Sequence, residues 1–132
     1  KYNARNLSLA DFGTTVDMAV MDVSFISQTL IIPALVNIIS DGAGFVSLIK
    51  PQFESGKEAI GKGGIVKNPA SRAFAIKKVV ECAKVNGLSL CGLAVSPILG
   101  GDGNIEYLAY FVKGESKNSI GENLDLLISR CL

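Results

Sequence analysis

The sequence predicts an α/β fold with a mostly parallel sheet. Four short apolar runs with the composition of strands are separated by helical segments over most of the chain, and this order is typical of open sheets with parallel strands. The last two runs are joined by a loop of about ten residues, which is too short for a crossover helix, so the final strand should run antiparallel to its neighbour. The 132 residues suffice for a single domain.

The first half of the chain is predicted to contain two strands and one helix. Residues 17–23 form an apolar run that reads as a buried strand. Ser27 is a suitable N-cap for a helix over residues 28–39, which carries apolar side chains along one face. The Asp-Gly-Ala-Gly sequence at 41–44 is a helix stop signal, and residues 45–49 form the second strand.

The second half adds two helices and two strands. The strongest helical periodicity begins at residue 70 or 71 and ends at the Asn-Gly pair 86–87. Strands are predicted over 88–95 and 106–112, and a short amphipathic helix over 120–132. The predicted order is therefore β-α-β-α-β-β-α.

Composition excludes several kinds of active site. The chain has no histidine, which rules out a Ser-His-Asp triad, a Cys-His dyad and a histidine metal site built from these residues alone. Its three cysteines form no Cys-x-x-Cys pair, and reduced thiols of this kind favour a cytoplasmic protein. No apolar stretch reaches the roughly 18 residues that a membrane helix needs. Proton transfer, if present, falls to Asp, Glu, Lys, Tyr or Cys.

Three charged residues are predicted to meet at one edge of the sheet. Asp22 and Lys50 end the first two strands, and Glu106 begins the fourth. Because an antiparallel strand begins at the edge where parallel strands end, all three should lie where ligands bind in open α/β sheets. A charge at the end of a strand is often only its first solvated residue. Three such charges on one edge favour a site.

Four segments together resemble a known family. DVSFIS, LIKPQFE, GKGGIVKN and SPILGGDGNIEYL, with Asn-Ala-Arg at 3–5, are similar to the catalytic region of the TlyA-type proteins, which were named haemolysins. These proteins are FtsJ-like ribosomal RNA 2′-O-methyltransferases. The resemblance extends over residues 3–113. It implies a partial Rossmann-like methyltransferase sheet with helices on both faces.

The resemblance also implies a catalytic set and a cofactor. The family uses a Lys-Asp-Lys-Glu tetrad, whose last three members fall on Asp22, Lys50 and Glu106. S-adenosylmethionine is the implied methyl donor, touched here by Asp22 and Val23, and no metal is implied. The first tetrad lysine, the main cofactor loop and an S4-type RNA-binding domain lie upstream in the family. Residues 1–132 are accordingly expected to form one domain, the C-terminal part of a methyltransferase domain, and to be inactive alone.

The implied substrate is ribosomal RNA within a ribosomal subunit. Residues 55–78 carry six basic side chains against one acidic side chain, a composition suited to phosphate contacts beside the active edge. Contacts to RNA are expected from the following residues: Ser24, Phe25, Gln52, Lys57, Lys62, Lys67, Arg72 and Asn104.

The sequence is compatible with two alternative functions and predicts one form of self-association. A non-catalytic module that binds RNA or the ribosome would need no cofactor loop. Membrane lysis rests only on the family's older name, because no basic amphipathic helix of membrane type is present, so no stable membrane association is expected. The strand over 17–23 carries a row of apolar side chains with no charge among them. It is expected to have no neighbouring strand on one side, which favours a dimer through this edge.

Overall fold

The computed structural model describes residues 1–132, and its four strands form one mixed sheet. The strands are β1 (Val16–Met21), β2 (Ile39–Ile49), β3 (Leu88–Val95) and β4 (Tyr107–Lys113), in the spatial order β1-β2-β4-β3. β1 and β2 are parallel, and β4 is antiparallel to both β2 and β3. The predicted α/β fold, with a mostly parallel sheet and an antiparallel last strand, is therefore confirmed.

One long helix and three short ones accompany the sheet. The long helix begins where the Asn68 side chain accepts the backbone N–H of Ala70 and where Pro69 occupies the first turn, and it ends at Asn86. The helices are α1 (Ile32–Leu35), α2 (Pro51–Glu54), α3 (Pro69–Val85) and α4 (Leu124–Ser129). Short 3₁₀ turns connect several of these elements.

The predicted helix over 28–39 is wrong. The segment contains a 3₁₀ turn at Gln28–Leu30 and the single-turn helix α1, after which the chain enters β2 at Ile39. The predicted stop signal at 41–44 lies inside β2. It marks an irregularity there: Val16 lies opposite Ile39 but Met18 lies opposite Gly44, so the chain between the two β2 positions bulges out of the ladder.

Three other elements also have boundaries that differ from the predictions. β1 ends at Met21, two residues before the predicted end, which leaves Asp22 in the loop that follows. The last helix spans six residues, whereas the prediction placed it over 120–132. β4 begins one residue after Glu106.

The core lies between one face of the sheet and the helices. Phe45, Tyr107 and Phe111 project from β2 and β4 and are fully buried, and the rings of Phe45 and Phe111 stack at a centroid distance of 5.7 Å. Ile76 and Val79 of α3 are equally buried in the same cluster. Each such side chain stabilises the fold by about 1.5–3 kcal/mol, so this layer fixes the sheet whose edge carries the charged residues.

The opposite face of the sheet is open. Met18 and Val20 of β1 and Tyr110 of β4 are exposed, with Val20 at 72%. Gly44 lies beneath two of them, since a Cβ there would be 2.9 Å from the Met18 sulfur and 3.0 Å from the Tyr110 ring. The prediction of helices on both faces is therefore wrong for residues 1–132. Their helices pack on one face of the sheet, and apolar side chains line the other.

None of the helices is long and apolar enough to cross a membrane. The three cysteines are unpaired and half-buried. Burial raises the pKa of the Cys82 and Cys131 thiols, which keeps them protonated and weakly nucleophilic near neutral pH.

Candidate active site

The sheet brings three charged residues to one edge. In the antiparallel ladder Ile49 lies opposite Tyr107, so Lys50 and Glu106 are the next residues on either strand. Asp22 follows the last residue of β1, whose parallel pairing to β2 makes both strands end on this side. The predicted juxtaposition of Asp22, Lys50 and Glu106 is present in the structure.

Lys50 and Asp22 form a close ion pair. The Lys50 ammonium lies 2.5 Å from a carboxylate oxygen of Asp22 and donates to the Ser24 hydroxyl at 3.2 Å. The lysine side chain is 14% exposed, whereas the aspartate side chain is 62% exposed. Pro51 begins α2 directly after Lys50 and holds the backbone at the exit from the sheet. The amine is thus fixed at the base of the edge, and its partner is in contact with solvent.

Glu106 is buried beside this pair. The Gln52 amide nitrogen donates to one Glu106 carboxylate oxygen at 3.0 Å. The backbone of Gly100 lies against the same carboxylate, because a Cβ at position 100 would be only 1.9 Å from that oxygen. Glu106 therefore has one oxygen held by an amide and a backbone wall that only glycine permits.

Lys50 and Glu106 line one cavity of about 340 Å³, and Asp22 reaches it only through its ion pair with Lys50. Ser24 and Phe25 come from the loop after β1, Lys50 and Gln52 from the end of β2, and Glu106 from the start of β4. A cavity with converging charged groups and apolar walls at a strand-end edge has the properties of a binding site for a small polar group.

An aromatic pair stands at the mouth of the cavity. Phe25 is 90% exposed and adopts a left-handed backbone conformation with φ of 63°. Its ring lies 5.0 Å from the ring of Phe53, tilted by 53°. Sequence reasoning missed Phe53, although a signal was available: each phenylalanine follows three positions after a charged residue at a strand end, Asp22 and Lys50.

A buried polar network holds the loop that carries Phe25. The Glu54 carboxylate accepts from the Ser27 hydroxyl at 2.5 Å and from the backbone N–H of Gln28 at 2.8 Å. The Gln28 side chain donates to the Leu48 carbonyl and accepts from the Ser47 hydroxyl. The network links the loop after β1 to β2 and α2, so Phe25 and Lys50 are fixed relative to each other.

Asn104, which is predicted to contact RNA, lines the same cavity and also joins two loops. The residue is almost fully buried, and its amide donates to the carbonyls of Gly64 and Gly101 and accepts from the backbone N–H of Val66. These bonds tie the Gly-rich segment to the turn before Glu106. Asp102 of that turn lines the cavity and was not singled out from the sequence.

Arg72, which is also predicted to contact RNA, is buried. Its guanidinium donates to the Tyr107 hydroxyl and to the Lys67 carbonyl, so it stabilises the fold. Three of the predicted basic contacts are exposed and form no ion pair: Lys57, Lys62 and Lys67. The other two lysines of the basic segment pair with carboxylates, those of Asp125 and Glu54.

Comparison with known proteins gives one family. The sequence model of the FtsJ-like methyltransferases matches residues 1–113. A protein of Mycobacterium tuberculosis named 16S/23S rRNA (cytidine-2′-O)-methyltransferase TlyA is 43% identical over 108 residues, which are 82% of this chain and 40% of that protein. Hemolysin A of Brachyspira hyodysenteriae is 37% identical over 116 residues, or 84% of this chain and 47% of the relative. The chain thus spans less than half the length of these relatives.

Solved structures agree on the fold. A crystal structure of a Lactococcus lactis protein superposes with a TM-score of 0.86 at 39% identity and covers 98% of this chain and 62% of its own. A SAM-dependent methyltransferase from Methanosarcina mazei superposes with a TM-score of 0.59 at 16% identity, covering 87% of this chain and 66% of that protein. The second likeness shows the fold alone.

Proposed function

Because the chain belongs to the FtsJ-like methyltransferase family, we propose that the intact protein transfers a methyl group from S-adenosylmethionine to a ribose 2′-hydroxyl of ribosomal RNA. Residues 1–132 would form the C-terminal part of the methyltransferase domain and contribute its acceptor side. The observation that carries the proposal is that Lys50, which pairs with Asp22, lines one cavity together with the buried Glu106.

Lys50 is the group suited to the proton transfer. A ribose hydroxyl attacks a methyl group only as it loses its proton, and only the neutral form of an amine can accept that proton. The Lys50 ammonium that pairs with Asp22 therefore has to release one proton to solvent before the hydroxyl reacts. Asp22 holds the Lys50 amine from the solvent side, and the Ser24 hydroxyl fixes it from a second direction. As the hydroxyl oxygen bonds to the methyl carbon, its proton passes to the Lys50 nitrogen.

Glu106 and Gln52 are placed to hold the acceptor ribose. One Glu106 oxygen is occupied by the Gln52 amide, and its second oxygen can accept from a ribose hydroxyl in the cavity. Holding the hydroxyl in line with the methyl group supplies much of the rate in such transfers. A carboxylate that is already held in place contributes to that alignment, because its side chain loses little conformational entropy when the ribose binds.

The end of β1 fits one part of the cofactor. Asp22 offers a largely exposed carboxylate that can accept from an amine or hydroxyl, and the half-buried Val23 offers apolar contact. When bound, S-adenosylmethionine supplies an electrophilic methyl group and retains the electron pair of the broken carbon–sulfur bond. These residues form only one wall of such a site, in agreement with a main cofactor loop that lies elsewhere in the family.

RNA contact is proposed from the remaining surface residues. Phe25 presents an exposed ring at the mouth of the cavity, and aromatic side chains bind unstacked bases in this manner. Lys57, Lys62 and Lys67 are free to contact phosphates.

The first test is methyl transfer by the intact protein. Purified protein with labelled S-adenosylmethionine and ribosomal subunits should place label on RNA, at a nucleotide that resists alkaline cleavage because its 2′-oxygen is blocked. RNA binding without label transfer would replace the proposal with a non-catalytic module. Dye release from liposomes would instead indicate membrane lysis.

We further expect the 132-residue chain alone to self-associate through β1. This strand is at the sheet's edge, with β2 as its single partner, and it adjoins the open apolar face. Val20→Lys places a charge on that face and should reduce the dimer fraction in light scattering. Val85→Lys, at a valine that is also largely exposed and that ends α3, is the control. A monomeric parent chain at high concentration would contradict the prediction.

A further inference from the structure

A second groove adjoins the candidate active site. It has a volume of about 570 Å³ and is mostly apolar, with Ile26 and Leu30 on one side and Ile60 and Lys57 on the other. Phe25 is shared between this groove and the cavity that holds Lys50, as are Gln52, Phe53 and Ile60. The two sites are therefore continuous, and Phe25 stands between them.

The exposure of the apolar side chains in the groove is energetically unfavourable. Phe25 is 90% exposed and Leu30 is 53% exposed, although both belong to a loop that Glu54 and Gln28 anchor firmly. Phe25 also adopts a left-handed backbone conformation, which disfavours a bulky side chain. Exposed apolar surface on a rigid, strained loop is typical of a binding surface.

The groove carries a cation suited to a phosphate. Lys57 lies at its rim, is exposed and forms no ion pair. The neighbouring carboxylate of Glu58 lines a different cavity, beside Ser55 and Phe74. An apolar floor with one free lysine at the rim matches a nucleotide, whose flat base stacks and whose phosphate is anionic.

We propose that this groove binds the base of a nucleotide directly adjacent to the methylated one, with its phosphate at Lys57. The proposal rests on the proposed function, since the target ribose must occupy the neighbouring cavity. An RNA strand that places one ribose at Lys50 has to pass the exposed face of Phe25. The adjacent base then stacks on the ring of Phe25 and packs against Leu30 and Ile26.

The experiment uses the intact protein and short RNAs with a cytidine at the centre. Two versions carry the fluorescent base 2-aminopurine, one on the 5′ side of the centre and one on the 3′ side. The emission of one version should fall on binding, because 2-aminopurine loses emission when it stacks on an aromatic ring such as that of Phe25. Absence of quenching in both versions at saturating protein would overturn the proposal.

Two variants locate the stacked base. Leu30→Ser should weaken RNA binding by about 3- to 10-fold and reduce the quenching, because it removes apolar contact from the groove. Leu126→Ser, an equally exposed leucine on α4, should change neither quantity. Lys57→Gln should lower the dependence of affinity on salt by about one phosphate contact, whereas Lys117→Gln should not. Quenching that survives Leu30→Ser unchanged would place the base elsewhere.

The outcomes separate this proposal from the proposed function. Methylation of ribosomal RNA without quenching from either neighbour overturns the groove assignment and leaves methyl transfer standing. Quenching that Leu30→Ser removes and Leu126→Ser retains, in a protein that transfers no methyl group, supports the groove and overturns the methyltransferase.

Discussion

Replacing Lys50 by alanine should reduce methyl transfer by the intact protein by about 10²- to 10⁴-fold, the usual contribution of a positioned general base. Lys50 is the single amine that the structure fixes within the cavity, through Asp22 and Ser24. Binding of S-adenosylmethionine should change little, because the lysine acts on the acceptor hydroxyl. Initial rates with labelled cofactor, beside calorimetric titration of the cofactor, measure both effects.

Lys50→Arg distinguishes a base from a fixed charge. A guanidinium keeps the positive charge and can still pair with Asp22, but it does not release its proton near neutral pH and so cannot act as a base. The arginine variant should therefore be as inactive as the alanine variant. An active arginine variant would show that Lys50 only positions the substrate.

Loss of activity at Lys50 should not reflect unfolding. Removing the lysine leaves Asp22, which is 62% exposed and remains hydrated, so the change in the free energy of unfolding should stay within about 1 kcal/mol. Lys84→Ala, at the far end of α3 and in no ion pair, is the matched control and should retain full activity. A large fall in thermal stability for the Lys50 variants would contradict this interpretation.

The sequence was informative about strands and about the charges that end them. The apolar runs predict the strands of this sheet because every second side chain of a strand is buried in the core layer, as Phe45 and Phe111 are. The edge to which Asp22, Lys50 and Glu106 belong then follows from strand direction alone. Their catalytic roles remain proposals, because position on an edge does not establish chemistry.

The local sequence could not predict where the first helix ends and β2 begins, and the reason is physical. Asp-Gly-Ala-Gly at 41–44 is a turn sequence in isolation, yet here it supplies a bulge within β2, with Gly42 at a φ of 81°. Gly44 is required for a different purpose, the close packing of Met18 and Tyr110 above it. A local signal for glycine does not reveal which tertiary contact demands it.

Composition also could not separate structural from surface polar residues. Arg72 counted as one of six basic side chains in a charged segment, but its guanidinium lies beneath the Tyr107 hydroxyl. Asn104 lay in a sequence of small residues near Glu106, and its amide is fully used in joining two loops. Both assignments depend on long-range contacts that a single sequence does not display.

Gly100→Ala should inactivate the intact protein nearly as completely as a change at Lys50. The alanine Cβ would lie 1.9 Å from the nearest Glu106 carboxylate oxygen and 2.2 Å from the carboxylate carbon. Glu106 is buried and held by Gln52, so it can yield only by leaving the position that faces the acceptor ribose. We expect activity to fall by about 10²-fold or more and stability by about 1–3 kcal/mol.

Gly121→Ala provides a control outside the cavity. No atom outside the adjacent residues lies within 4 Å of a Cβ at position 121, and neither glycine has a positive φ, so alanine is free of backbone strain at both positions. The two substitutions reduce the conformational entropy of the unfolded chain equally, but only Gly100→Ala creates a steric clash with Glu106. Rates and urea denaturation of the two variants should therefore diverge sharply. Equal activity of Gly100→Ala and the parent protein would show that Glu106 need not occupy its observed position for methyl transfer.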